Sequence, residues 1–217
     1  MIPKVIHYCW FGGAEKPASV KRCIKNWQKV CPDYEIREWT EKDFDVRIND
    51  YCREAYDAKV WGFVPDFIRL WIIYNHGGIY LDTDVELLKP IDDFLEKDAW
   101  FGYMRSTNPD GTTFTEINTG SGFGSVAGNP FLKKLLDQYL SFDSHQPFQI
   151  CNRVDTAIFI QEWPNFQYNA TVRQEYNNMV IIDDIWRYTF HYCVNSWLPW
   201  HKRAKNKIKS YLKSKRY

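Results

Sequence analysis

A chain of 217 residues, 45% apolar and 18% aromatic, can bury one sizeable core and is too apolar for a disordered segment. Net charge is +1, yet residues 201–217 carry eight Lys/Arg and no acid, leaving 20 basic against 27 acidic side chains elsewhere. A net acidic body argues against a nucleic-acid partner, and no apolar run reaches the length of a bilayer span.

Lys4–Trp10 alternates as a strand and ends at Gly12-Gly13. Pro17 opens a helix to about Val30, with Val20, Cys23, Ile24, Trp27 and Val30 on one face. Tyr34–Trp39 reads as a second strand, followed from Thr40 by loop and short helix. Phe67, Leu70, Trp71, Ile73 and Tyr74 predict a helix from Pro65 or Asp66 to about His76, ended by Gly77-Gly78. Short strands follow at Ile79–Leu81 and Val85–Leu88, then a strand at Ala99–Met104 and a polar loop at Arg105–Thr115. Glu116–Ala127 holds strand-like residues among glycines, Pro130–Phe142 and Val154–Trp163 read as helices, and Met179–Ile182 as a strand. Trp186–Tyr192 is an aromatic-rich strand or loop.

Strands alternating with helices predict an α/β fold with a central sheet flanked by helices. Residues 1–200 form one domain. In the remainder, Trp200, Ala204, Ile208, Tyr211 and Leu212 recur at helical spacing, so 201–217 is a basic amphipathic tail, suited either to an anionic membrane face or to solvent.

The segment Gly77-Gly78-Ile79-Tyr80-Leu81-Asp82-Thr83-Asp84 carries the chemistry. In extended geometry Asp82 and Asp84 point to one side, where like charges repel unless a cation lies between them. Hard oxygen ligands suit Mg²⁺ or Mn²⁺, ions that keep open positions for phosphates. Such triplets also occur in ordinary acidic loops. This one stands at a strand's carboxyl end, where open α/β sheets bind ligands. Six cysteines show no metal-type spacing, and Met1-Ile2-Pro3-Lys4 lacks the form of a leader, so reduced thiols and a cytoplasmic location are expected.

Three segments in this order, IPKVIHYCWFG, DFIRL and GGIYLDTDVELLKP, resemble the DXD sugar transferases of glycosyltransferase family 32. That group holds bacterial capsule and O-antigen transferases and yeast-type α-mannosyltransferases, and is related to the glucosyltransferase domain of clostridial toxins. The likeness covers roughly residues 1–104 and returns weakly at His191-Tyr192-Cys193-Val194-Asn195-Ser196-Trp197, where Tyr192 replaces the second of two usual histidines. It implies a GT-A type nucleotide-binding fold with a mixed sheet, a nucleotide-sugar donor, and Mn²⁺ or Mg²⁺.

By the same resemblance, Trp10 stacks on the donor's base, the alternative being a core ring. Asp66 and Arg69 grip the donor sugar, the alternative being an ordinary i,i+3 ion pair. Asp84 is a direct metal ligand, and Asp82 reaches metal, metal-bound water or ribose. His191 completes the metal shell or holds a phosphate, the alternative being a satisfied core histidine, and Asn195 is an equal candidate oxygen ligand, while Ser196 and Trp197 close over the diphosphate. Outside the matched segments, Asn118 follows the polar loop and is a candidate for the border of the donor pocket, and Asp155 is a candidate for the acceptor side.

The implied reaction moves a hexose from UDP-galactose or UDP-glucose, with GDP-mannose open, to a glycan or polyprenyl-linked glycan. It retains anomeric configuration and serves capsular or other surface polysaccharide synthesis, at the inner membrane face if the tail docks there. The rival readings are a nucleotide-sugar binding module without turnover and a metal-dependent nucleotidyl- or phosphotransferase. No glycine-rich phosphate loop supports the latter.

Overall fold

In the computed structural model, residues 1–107, 110–142, 148–168 and 172–193 are described. The basic tail, and with it Asn195, Ser196 and Trp197, lies outside them.

β1 (Val5–Cys9) leads through a glycine loop into α1 (Ala18–Val30) and β2 (Glu35–Trp39). α2 (Asp50–Asp57) is capped by Asn49, whose side chain accepts from the Cys52 amide, and α3 (Val64–His76) follows with Pro65 in its first turn. β3 (Gly78–Tyr80) and β4 (Val85–Leu87) flank the acidic pair. Then come β5 (Ala99–Thr107), β6 (Thr113–Ile117), β7 (Phe123–Ser125), α4 (Pro130–Leu140), α5 (Cys151–Glu162), β8 (Gln174–Tyr176), β9 (Met179–Ile182) and β10 (Thr189–His191).

The main sheet runs β2-β1-β3-β7-β5-β9-β8, with β6 paired to β5. β1 is parallel to β2 and β3, and β5 to β9, while β7 is antiparallel to both β3 and β5. The mixed, helix-flanked sheet is the architecture expected from the sequence. Strand alternation divides the core between its faces. Tyr80, Phe101 and Ile181 pack with α3, α4 and α5, and Ile79, Trp100, Val180 and Ile182 with α1.

Two expectations change. Arg105–Thr115 is not a loop throughout, because β5 continues to Thr107 and β6 begins at Thr113 as its antiparallel partner. Its threonines are polar yet β-branched, and exposed hairpin strands accept such residues. β8 also escaped the sequence pattern, since three residues with Gln174 and Glu175 lack an apolar period.

Gly78 is placed by necessity: φ is +100°, and a Cβ there would lie 2.8 Å from the Val5 carbonyl and 2.9 Å from His7 Nε2. This tight turn reverses the chain, so α3 runs antiparallel to β3. Its first turns thus return to the sheet edge where β3 ends. β1 ends at the same edge and β7 starts there, which gathers Trp10, Asp82 and the 118–122 loop.

Candidate active site

Asp82 and Asp84 do not continue β3 in extended form. Val85 N donates to Asp82 O at 3.0 Å, closing a turn, and Asp82 N donates to Gly120 O at 3.1 Å. The turn, not strand alternation, brings the two carboxylates together. The third member arrives from 107 positions away. β10 pairs antiparallel with β4, His191 opposite Val85, and Tyr192 N donates to Asp84 O at 3.0 Å. α1 steadies β4, as Trp27 Nε1 donates to Val85 O and Asn26 bonds Leu87 through both its amide N and O.

One ligand atom each from Asp82, Asp84 and His191 lies within 4.8 Å of the others. Two carboxylates and an imidazole fit Mn²⁺, and Mg²⁺ less closely, because a nitrogen ligand suits the softer ion. Positive protein groups already balance the acids. His191 Nε2 is 3.1 Å from Asp84 Oδ1, and Arg69 Nη2 is 3.4 Å from Asp82 Oδ1. Burial opposes a charge on His191, yet the Asp84 carboxylate outweighs it and carries the imidazole up to about 10. Protonated, the ring donates to Asp84 and from Nδ1 to Ser121 Oγ at 2.9 Å.

Arg69 also donates to Asp66 Oδ1 at 2.8 Å, and Tyr51 donates to Asp66 Oδ2 at 2.9 Å. Asp66 and Arg69 are 3% and 2% exposed, so the surface ion-pair alternative is excluded. Burial raises the Asp66 carboxyl to about 7, with Arg69 and the Tyr51 hydroxyl opposing. The pair lies directly beneath Asp82.

Asn118 is buried at the rim of this cluster. Its Oδ1 accepts from Gly120 N at 2.9 Å and Ser121 N at 3.1 Å, and its Nδ2 donates to Ser121 Oγ at 2.6 Å. An unbroken run therefore joins Asn118, Ser121, His191 and Asp84. Ser121, Gly120 and Tyr51 were missed from the sequence. The Asn118-Thr119-Gly120-Ser121-Gly122 run carries a side-chain-stabilised turn signal that could have found the first two; nothing marks Tyr51.

Gly120 is a contact glycine. A Cβ there would collide with Asp82 Oδ2 and stand 2.9 Å from Arg69 Nη1. Gly120→Ala should reduce turnover about 10²-fold, the scale for an ångström-size misplacement of a reacting group. Steady-state kinetics on the folded variant would check this, and undiminished kcat would show that the Asp82 position is tolerant.

Asp155 lies inside the protein rather than on an open surface. It is fully buried, accepting from Thr119 Oγ1 at 2.8 Å beneath the loop, and burial raises it to about 7. In this structure it anchors the 118–122 loop. Trp10 is half-buried at the end of β1, its Nε1 donating to Ala14 O at 2.6 Å. All six cysteines are free thiols, and among the described residues no helix is long and apolar enough to cross a membrane.

Residues 17–101 match the family model described as a glycosyltransferase sugar-binding region containing a DXD motif. Inositol phosphoceramide mannosyltransferase 3 of Schizosaccharomyces pombe is 31% identical over 157 residues, 68% of this chain and 40% of that protein. The chain thus spans less than half the length of this relative. Among solved structures, PaToxG glycosyltransferase superposes with a TM-score of 0.53 at 21% identity, over 75% of this chain and 70% of that one. A glycosyltransferase involved in glycosylating the major capsid of PBCV-1 gives 0.50 at 13% identity, over 97% and 100%. These likenesses establish the GT-A type fold. The paired aspartates, fixed by the turn after β3, fall inside the matched region, and the chain belongs to the glycosyltransferase family defined by that DXD-containing sugar-binding region.

Proposed function

We propose that the chain transfers a hexose from a nucleotide diphosphate sugar to a hydroxyl of a glycan or lipid-linked glycan, with retention of configuration. The observation that carries this reading is the convergence of Asp82, Asp84 and His191 at the carboxyl end of β3. A divalent cation held by these three, Mn²⁺ or Mg²⁺, supplies Lewis-acid stabilisation of the departing diphosphate.

The chain's own groups prepare that site. Arg69 offsets the charge of Asp82 from below, with Asp66 and Tyr51 fixing its guanidinium. The share of Asp66 and Arg69 in gripping the donor sugar requires that sugar hydroxyls replace some of these contacts. Ser121 orients the His191 ring, and His191 must give up its Nε2 proton to act as a ligand, so ion binding strengthens with rising pH below about 10. Trp10 offers a ring face to the base. Trp10→Ala should raise the donor's Kd about tenfold, as expected for a lost stack of roughly 1–3 kcal/mol; calorimetry giving an unchanged Kd would make Trp10 a packing residue.

UDP-galactose or UDP-glucose is the preferred donor, and GDP-mannose is the second reading, favoured by the mannosyltransferase relative. Asn195, Ser196 and Trp197 are kept as proposed donor and metal contacts, and 201–217 as a proposed membrane-surface segment of a cytoplasmic enzyme in surface polysaccharide synthesis. A panel of UDP- and GDP-sugars with Mn²⁺, reading free nucleoside diphosphate with and without EDTA, tests the reading. Release of UDP or GDP that EDTA stops is expected. No release from any donor, or release of pyrophosphate, would reject it.

A further inference from the structure

A concavity of about 520 Å³ lies between β6 and α5. That volume is within the roughly 300–1,000 Å³ of small-molecule sites. One wall is a single face of α5: Arg153, Thr156, Ala157 and Ile160 stand at the i, i+3, i+4, i+7 spacing. The opposite wall is β6 with its approach, through Thr112, Thr113, Phe114 and Glu116, and Tyr168 stands at the rim.

The two elements that wall the concavity also lead to the acidic cluster. Phe114 and Glu116 share a face of β6. Two residues further on, Asn118 keeps the ladder through its amide bond to Gly102 O at 3.0 Å and enters the Ser121–His191 run. Thr156 Oγ1 accepts from Ile117 N at 2.8 Å, tying α5 to the same strand. Met104 Sδ lies 3.4 Å from Asn118 Nδ2 and 3.6 Å from Asn152 Nδ2, linking β5 to both the 118–121 loop and the first turn of α5. The first turn of α5 also meets the cluster, with Cys151 Sγ 3.9 Å from Arg69 Nη1.

Its lining suits a sugar. Tyr168 and Ile160 are 49% and 53% exposed, offering apolar surface against which a pyranose face can pack. Arg153, Thr112 and Thr113 bring exposed donors and hydroxyls. Glu116 is 6% exposed and supplies a carboxylate acceptor at the base. A hydrophobic peptide groove would lack this density of hydroxyl-matching groups.

We propose that this cleft seats the sugar that accepts the transferred hexose, placing an acceptor hydroxyl beside the Asn118–Ser121 rim. The assignment rests on the glycosyltransfer reading above. Saturation-transfer NMR on the full chain, with α-1,6-mannobiose and lactose as probes, tests it against Tyr168→Ala and Arg153→Gln, both at exposed positions. At least one disaccharide should give a wild-type signal that falls fivefold or more in both variants. No signal from either sugar, or equal signals in wild type and variants, would overturn the assignment, as would transfer to a Ser/Thr peptide without sugar binding. Donor hydrolysis by the wild-type chain, run alongside, separates the two failures. Its absence rejects the glycosyltransfer reading, whereas hydrolysis with neither disaccharide bound rejects the cleft alone.

Discussion

Asp84→Asn should lower Mn²⁺-dependent release of nucleoside diphosphate by about 10²–10³-fold, the scale for losing one preorganised electrostatic group at a reacting centre. The substitution keeps the side chain's size and one oxygen, and removes only the charge. Two consequences distinguish it from simple unfolding. Calorimetry should find Mn²⁺ binding weakened, while circular dichroism remains that of the wild type. The His191 imidazole, held up to about 10 by the Asp84 carboxylate against its burial, should fall back toward its ordinary value near 6.5. A group whose pKa is raised on folding adds stability that is complete below the unfolded value and vanishes above the folded one. The metal-free variant should therefore be less stable than wild type at pH 7, and the difference should shrink as pH rises through about 10. Full activity in Asp84→Asn would remove this carboxylate from the site.

Arg69→Ala should destabilise the fold by about 3–5 kcal/mol, because it strips the counter-charge from a carboxylate with almost no access to water. Arg69 is the only residue seen to bridge Asp66 and Asp82 among the described residues, and its guanidinium also lies 5.1 Å from the Tyr80 ring centroid. The loss carries a pH signature. Burial raises Asp66 to about 7 even with Arg69 present. Without Arg69 it should climb further, so the folded variant holds a proton that the unfolded chain releases above about 4. Folding then binds protons, and stability declines as pH rises. Urea denaturation should show a larger deficit relative to wild type at pH 8 than at pH 6. Adding Asp66→Asn should recover part of the loss at pH 8, since position 66 then carries no charge to be paired. A deficit under 1 kcal/mol, or one independent of pH, would mean that the pair is solvated and does not support the site.

The local pattern carried further than its length suggests. Gly77-Gly78, an apolar triplet and two aspartates could be placed in order because each obeys a short-range rule: a left-handed turn, a buried strand, a polar exit. Helix α3 was legible from its apolar spacing, and Asp66 and Arg69 were placed on one face correctly. Their depth was not legible, since burial depends on what packs over the helix. Tyr51 reaches Asp66 from α2, a contact that no periodicity encodes. The depth of Asp155 was not legible for the complementary reason. A carboxylate in an exposed helix and one buried under a loop have the same letter, and the Thr119 and Tyr139 hydroxyls on Asp155 distinguish them.

Sequence alone therefore determined the two aspartates at the exit of β3, the alternation that builds the mixed sheet, and the end of that sheet where those acids stand. Tertiary structure decided what those aspartates meet. A turn, rather than an extended strand, converges their side chains, and antiparallel pairing of β10 with β4 delivers His191. The physical reason is range: turn and strand preferences act over a few residues, whereas charge compensation by Arg69 and His191 acts through space between segments that only a closed core brings within 4 Å.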